Sequence, residues 1–467
     1  MSENKKYFNL PVIIIISTIL ILFIISLIPP DTEILGYQVK GFNLFSDFSD
    51  LSEESGELLT PAAESYSQVL KAGIFSDIID LSNLANENYI TAKGIDDLIK
   101  YEKITGNTDQ LKYFFEALKK VDNTLVRIAH LGDSIIEGDL VSAEMRDRLQ
   151  AKFGGSGVGY QALTSADTQF RVTTEHEFSD DWTAYSLFGK KSRKYEYSLN
   201  GEIFIPANGS TVNYKMRDAY KRSSTFENIR VLYYEKDNSK ISLTFDNKTE
   251  DLKLTPSPGL SEIVKSTGGN ISEVGLKFFP SNSTNIVGVY LEPAKGIELD
   301  NYPFRGNTGD ALTELSTEKV AALNKLLDYK LVILQFGLNA VSMRKSDFPK
   351  YKKELTKGIK NLKEALPETS IVLMGVSDKS KKKGSSFVTD PQVKELIKLQ
   401  QEVVAETGIA FWNTFEAMGG ENSMPKWVKS KPSYASSDFT HFNKSGADKI
   451  GEIFSKVLID GYIEYSK

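Results

Sequence analysis

The sequence predicts an α/β fold: a parallel sheet with helices on both faces, interrupted by an inserted β-sandwich and preceded by a membrane-spanning helix. Three observations carry this. Apolar strand-like runs alternate with helical stretches before residue 160 and again after residue 300, the rhythm of βα units whose parallel sheet is covered on both faces. Between them lie short β-type runs punctuated by Asn, Asp, Ser and Gly clusters, as in an all-β sandwich. Finally, Leu10 to Ile28 is uncharged and almost wholly apolar, close to the roughly 20 residues that span a bilayer.

From the N-terminus, Lys5 and Lys6 precede the apolar run and Pro29-Pro30 follows it. Positive charge stays cytoplasmic and proline stops a helix. No small-residue cleavage site is visible. Residues 1–9 are therefore expected as a cytoplasmic tail and 10–29 as a single-pass anchor, with the body periplasmic or extracellular. A cleaved signal peptide is the alternative, and it also exports the body. Residues 30–107 lack a strong period and read as a spacer with short helices. From Thr108 a helix is expected with Leu111, Phe114, Phe115 and Leu118 on one face. A strand at 125–131 follows, then HLGDS, then a helix carrying Leu140, Met145 and Leu149.

The insertion is placed at 161–299, with strands at Lys194–Leu199, Ile229–Glu235, Ile241–Phe245, Leu276–Phe279 and Ile286–Leu291. The αβ rhythm resumes with a helix over about 312–327 and a strand at Lys330–Phe336. A helix over about 347–365, a strand at Ile371–Val376 and a helix over about 391–406 follow. The strand Ile409–Trp412 leads to a last helix after Ser445. The α/β part thus comprises 108–160 and 300–467.

Composition narrows the chemistry. With 56 Lys and Arg against 62 Asp and Glu, the net charge is −6 and no basic footprint for nucleic acid exists. Cysteine is absent, which removes disulfides, thiolate nucleophiles, cysteine–zinc sites and a lipoprotein anchor. The three histidines, His130, His176 and His441, show no metal-binding spacing, so neither a metal nor another cofactor is expected. Lys379 to Lys383 (KSKKK) reads as a solvated loop. Gly154 to Gly159 (GGSGVG) follows a helix rather than a strand, so it lacks phosphate-cradling geometry; a loop near the active-site rim is expected. Trp182 and the insertion's tyrosines fit a sandwich core better than a sugar platform. The sequence does not reveal the oligomeric state.

Ligands of open parallel sheets gather at the carboxyl ends of strands. Three stretches sit there: Gly132-Asp133-Ser134, Gly337-Leu338-Asn339, and Asp438-Phe439-Thr440-His441 before the last helix. A serine hydroxyl attacks only when a base takes its proton; histidine suits that task, and a carboxylate orients the ring. The Ser134 N–H and the Asn339 amide are candidate donors to an oxyanion. Singly, each has a plainer reading: Ser134 as a helix cap at a tight turn, Asn339 as a strand-end cap, His441 as a partly buried histidine. His130, against the strand end, reads as structural, and His176 has no neighbouring serine motif.

These residues make the chain resemble the SGNH (GDSL-type) hydrolases. Gly132-Asp133-Ser134 matches the nucleophile motif, Gly337-Leu338-Asn339 the G-x-N motif, and Asp438 to His441 the D-x-x-H motif. The family's glycine oxyanion donor is best matched by Gly306 in DNYPFRGNTGD, with Gly309 second. Ala340 stands where the family often has Asp or Glu. The resemblance implies a three-layer, flavodoxin-like sheet, with Ser134, Asp438 and His441 as catalytic triad. It implies Ser134, Gly306 and Asn339 as oxyanion hole. The β-rich insertion and the stretch Ala410 to Trp427 are similar to the peptidoglycan O-acetylesterases, whose insertion looks like a carbohydrate-binding module. That implies an acetylated polysaccharide as substrate, peptidoglycan first. An O-acetyltransferase using the same triad and an inactive glycan-binding scaffold are the other readings.

Overall fold

The computed structural model describes residues 32–34, 37–39, 90–189 and 194–467. The expected cytoplasmic tail, membrane anchor and most of the spacer lie outside the described residues. Among the described residues no helix is long and apolar enough to cross a membrane. Two units are distinguished, Met1–Asn83 and Leu84–Lys467. In the first, Thr32–Ile34 pairs antiparallel with Tyr37–Val39.

In the second unit, a six-stranded sheet has the order Gly296–Pro303, Leu125–Gly132, Tyr329–Gln335, Ser370–Met374, Ala410–Trp412, Thr105–Gly106. The first five strands are parallel and the last is antiparallel. Counting the parallel strands along the chain gives 2-1-3-4-5, the doubly wound order whose switch point lies between strands 1 and 3. Val126, Ile128, Leu131, Val332, Ile333 and Leu334 are almost completely buried, which is why these strands read as continuous apolar runs rather than alternating ones. Helices Lys112–Leu118, Ser142–Phe153 and Lys444–Tyr465 form one covering layer, with Phe115 and Phe153 both against Tyr462. Helices Thr317–Leu327, Phe348–Ala365 and Pro391–Thr407 form the other.

The insertion contributes two antiparallel sheets. One runs Lys248–Leu254, Ser239–Phe245, Glu273–Phe279, Thr211–Met216, Thr174–Phe178; the other runs Ser261–Ile271, Phe226–Tyr234, Asn285–Glu292, Glu202–Ile205, Thr183–Ser186. Thr211–Met216 alternates exposed and buried residues, the period of a strand with one face on a core. Val212, Ile241, Leu243 and Phe278 from the first sheet share that core with Ile229, Val231, Ile286 and Val289 from the second. Trp182 packs edge-on against Phe278.

The two parts are tied together by buried polar contacts. Gly159–Gln161 pairs with Asn285–Glu292, so the sandwich recruits a strand that precedes the expected boundary at 161. Gly296–Pro303 belongs to the parallel sheet, earlier than the expected return at 300, and Thr105–Gly106 joins it ahead of 108. Arg127 of the central strand meets Glu292 of the sandwich at 2.6 Å, and Arg230 reaches the same carboxylate at 2.9 Å.

Four expectations require correction. Lys194–Leu199 is not a strand: Tyr197 makes one isolated bridge to Leu315. Its alternation arises because Tyr197 and Leu199 enter the α/β core. Lys379 to Lys383 is not a loop, since Ser380–Lys383 pairs with Ser386–Thr389 as a hairpin. The helix after HLGDS starts at Ser142, because left-handed backbone at Gly138, Asp139 and Val141 holds the chain in a turn before it. The 154–159 glycines are not at the active-site rim. They sit where a Cβ on Gly155 would be 2.5 Å from the Ile297 carbonyl, at the amino end of that strand and opposite the carboxyl ends.

Candidate active site

Three motifs separated by some 300 residues meet at the switch point because strands 1 and 3 are neighbours there. Leu125–Gly132 pairs with Tyr329–Gln335 up to Gly132 and Gln335, so Ser134 and Asn339 leave adjacent strand ends. Asp133 N–H donates to the Gln335 carbonyl at 3.2 Å. Gly337 has φ +132, and a Cβ on it would lie 2.8 Å from Gln400 Nε2; only glycine fits that turn.

The third stretch arrives on the loop before Lys444–Tyr465. Asn443 caps that helix, accepting from Gly446 N–H at 3.1 Å, while its amide holds the Ser433 carbonyl at 2.8 Å. His441 is thereby fixed two residues ahead of the helix cap.

The side chains converge. Ser134 Oγ lies 3.0 Å from His441 Nε2, and His441 Nδ1 lies 2.7 Å from Asp438 Oδ2. With a carboxylate on Nδ1, the ring carries its proton there, and Nε2 is left to accept from the serine hydroxyl. Asp438 Oδ1 also accepts from the N–H groups of Thr440 and His441, at 2.9 and 3.0 Å. Burial raises the Asp438 pKa, but the hydrogen bonds from His441 and these N–H groups outweigh it, and the net shift is downward. The carboxylate therefore stays ionised where it faces the imidazole.

Ser134 is half-buried in a turn, not at a helix N-terminus as its sequence context suggests. Asn339 donates through Nδ2 to the Asn307 carbonyl at 3.0 Å, which brings it beside Gly306 in the loop after Gly296–Pro303. An amide nitrogen carries two protons, so the second remains for another acceptor. Gly306 is exposed, with φ +74 and open space where a Cβ would stand, whereas a Cβ on Gly309 would press on Leu355 at 3.1 Å. Gly309 is thus a packing glycine, whereas Gly306 keeps open space around it.

Other polar groups hold this arrangement. Asp133 is buried; burial pushes its pKa up to about 6, opposed by N–H bonds from Ile135, Leu338 and Gly337 and by nearby His441. One carboxyl thus links the Ser134 turn to the Asn339 turn. His130 lies between Ser142 Oγ at 2.8 Å and Gln335 Oε1 at 3.1 Å. Burial lowers its pKa to about 3, so it is neutral and structural. Asp139 and Arg146 form a fully buried pair at 2.8 and 3.0 Å that pins the turn after Ser134. His176 takes no part in these contacts, its Nε2 being bonded to the Leu163 carbonyl at 3.3 Å.

Sequence reading missed two contributors. Lys379 reaches Ser342 Oγ at 2.8 Å and the Leu338 carbonyl at 3.5 Å. Phe387 of the hairpin stacks on Phe439 with centroids 3.7 Å apart, and Ser380 N–H donates to the Phe439 carbonyl at 3.0 Å. Phe439 is itself left-handed, with φ 55. The signal was present in Ser386-Phe387-Val388-Thr389, a short β-prone run after Gly384. Among the described residues no cluster of His, Cys, Asp or Glu could hold a metal ion.

No protein-family model matches this sequence, and no curated protein does. Among solved structures, one of a peptidoglycan O-acetylesterase aligns with a TM-score of 0.62 at 18% identity, covering 77% of this chain and 99% of its own. The chain has the fold of that O-acetylesterase. A family two carbohydrate esterase from Cellvibrio japonicus aligns at 0.26 and 10% identity over 62% of this chain and 98% of its own. One from Clostridium thermocellum aligns at 0.26 and 10% over 60% and 99%. These last two overlap too loosely to bear on the site. The O-acetylesterase match spans nearly all of that structure.

Proposed function

We propose that this protein is a serine esterase that removes O-acetyl groups from an extracytoplasmic polysaccharide, peptidoglycan being the foremost candidate. The observation that carries the reading is the Ser134–His441–Asp438 chain of contacts, at 3.0 and 2.7 Å. Ser134 Oγ attacks the acetyl carbonyl carbon while His441 Nε2 takes its proton. The oxyanion is held by the N–H groups of Ser134 and Gly306 and by the Asn339 amide. His441 then gives its proton to the departing sugar oxygen as the ester bond breaks, leaving acetyl on Ser134. Water, deprotonated by His441, attacks that ester; acetate leaves and Ser134 recovers its proton. Asp438 holds the ring and stabilises its charged form throughout. No step calls for a cofactor.

The apolar segment 10–29 would tether the chain with this domain outside the cytoplasm, beside such a polymer. The sandwich would present the glycan to the site. The fold shared with the O-acetylesterase structure supports this reading. Acetate release from O-acetylated peptidoglycan, acetylated xylan and acetylated alginate tests it. Release from the first, lost in Ser134→Ala, is expected. Release only from xylan or alginate would move the substrate, and acetylated acceptor glycan in place of free acetate would make the protein a transferase.

A further inference from the structure

A cavity of about 270 Å³ lies between the sandwich and the carboxyl end of Gly296–Pro303. It is lined on the sheet side by Glu137, Pro303 and Arg305 and on the sandwich side by Gln161, Arg171 and Glu202. Glu137 follows Ser134 by three residues and Arg305 adjoins Gly306, so one wall of the cavity is built from the two segments that carry Ser134 and Gly306. Its size falls just below the range of ligand pockets, about 300–1,000 Å³, and suits a single ring or side group.

The walls hold polar groups without partners among the described residues. Glu202 opens the strand Glu202–Ile205 and is enclosed by protein, the surface it keeps facing the cavity. Its carboxyl makes no hydrogen bond or ion pair among the described residues. Burial, and then the charge of Asp167, push its pKa up to about 8. Arg171 gives Nη1 to Asp167 at 3.2 Å, but among the described residues its Nε and Nη2 are buried with no partner, as is Asn200 Oδ1. Orphaned groups of this kind are rare in folded proteins and call for an explanation. Because an enclosed carboxyl without a cation is neutral and donates, the cavity's surplus is in donors. Its charges cancel: Arg171 faces Asp167, Arg305 faces Glu137 at 3.7 Å, and burial, followed by Arg171, lowers the His176 pKa to about 4.

We propose that this cavity is a subsite for an uncharged sugar unit of the substrate chain, one whose acceptor oxygens, such as an N-acetamido carbonyl, meet Glu202 and Arg171. The proposal rests on the esterase reading for its place beside the reacting sugar. Its own evidence is the geometry of the cavity.

The test is calorimetric binding of the neutral N-acetylated oligosaccharide chitotriose, with cellotriose as control, to the Ser134→Ala protein. Expected are binding of chitotriose in preference to cellotriose and a loss of about tenfold in Glu202→Ala, the size of one hydrogen bond to a buried group. Glu202→Gln, which keeps a donor, should retain the affinity. The groups facing Glu202 are Asp167, Arg171 and His176, Tyr160 and Tyr197, and Glu137 and Arg305 across the cavity. Affinity should fall through about pH 8 as Glu202 ionises, and stay level in Glu202→Gln. Equal affinity in Glu202→Ala, equal binding of both sugars, or no binding of chitotriose would overturn the subsite. Absence of acetate release by wild type, with chitotriose still bound, would overturn the esterase reading and leave the subsite standing.

Discussion

A serine hydroxyl 3.0 Å from an imidazole is useful only if the ring keeps one tautomer and one orientation. Asp438 supplies both, through a contact of 2.7 Å. Asp438→Asn keeps the shape but turns a donor toward Nδ1, so kcat for a small acetate ester should fall about 10²–10⁴-fold; an unchanged kcat would show that the ring needs no carboxylate. Because its pKa is lowered, Asp438 contributes stability that is full above the ordinary carboxylate range and is lost only as pH falls through its folded value. Residue identity was legible at this scale: Ser134, Asn339, Asp438 and His441 could be named because each motif is local in sequence. Arg146 and Asp139 were not legible, since a buried ion pair on a short turn and helix looks like two surface charges. Glu202 opens a β-strand as many exposed glutamates do, and only the fold shows that its carboxyl faces a cavity.

At the scale of elements, a hairpin supports the site. The stacking of Phe387 on Phe439 and the bond from Ser380 N–H to Phe439 hold a loop whose left-handed Phe439 costs about 1–3 kcal/mol by itself. Phe387→Ala should loosen this loop and lower kcat about tenfold, since small misplacements cost rate steeply. Thermal stability should shift little, because Phe387 is only half-buried. A large drop in melting temperature with normal kcat would assign the stack to folding instead. Long elements such as Phe348–Ala365 and Pro391–Thr407 were legible within a residue or two, since their apolar period is sustained. The hairpin was hidden because Lys381, Lys382 and Lys383 are exposed on it, and charge alone reads as loop. Thr174–Phe178 and Lys248–Leu254 were missed because short polar strands lack a hydrophobic run.

For the second unit as a whole, the sandwich is wired into the parallel sheet. Glu292 joins Arg127 and Arg230, with side-chain exposures of 1%, 6% and 12%, so removing its charge strands a buried guanidinium. Glu292→Gln should cost on the order of 3–5 kcal/mol, read as a lower melting temperature. Calorimetry on the wild-type unit should show one transition rather than separate melting of sandwich and sheet. Two resolved transitions would mean that the shared strand pairing and this ion cluster do not couple them. The 2-1-3-4-5 order was legible only through family resemblance, because strand order depends on pairings that leave no local trace in sequence.

The central claim is that Ser134 carries the acetyl group between ester and water. Brief exposure to 4-nitrophenyl acetate, acid quench and peptide mapping by mass spectrometry test it most directly. The account predicts an acetyl group on Ser134, absent in Ser134→Ala along with ester turnover. Turnover that persists in Ser134→Ala, with Ser134 unmodified in wild type, would contradict it.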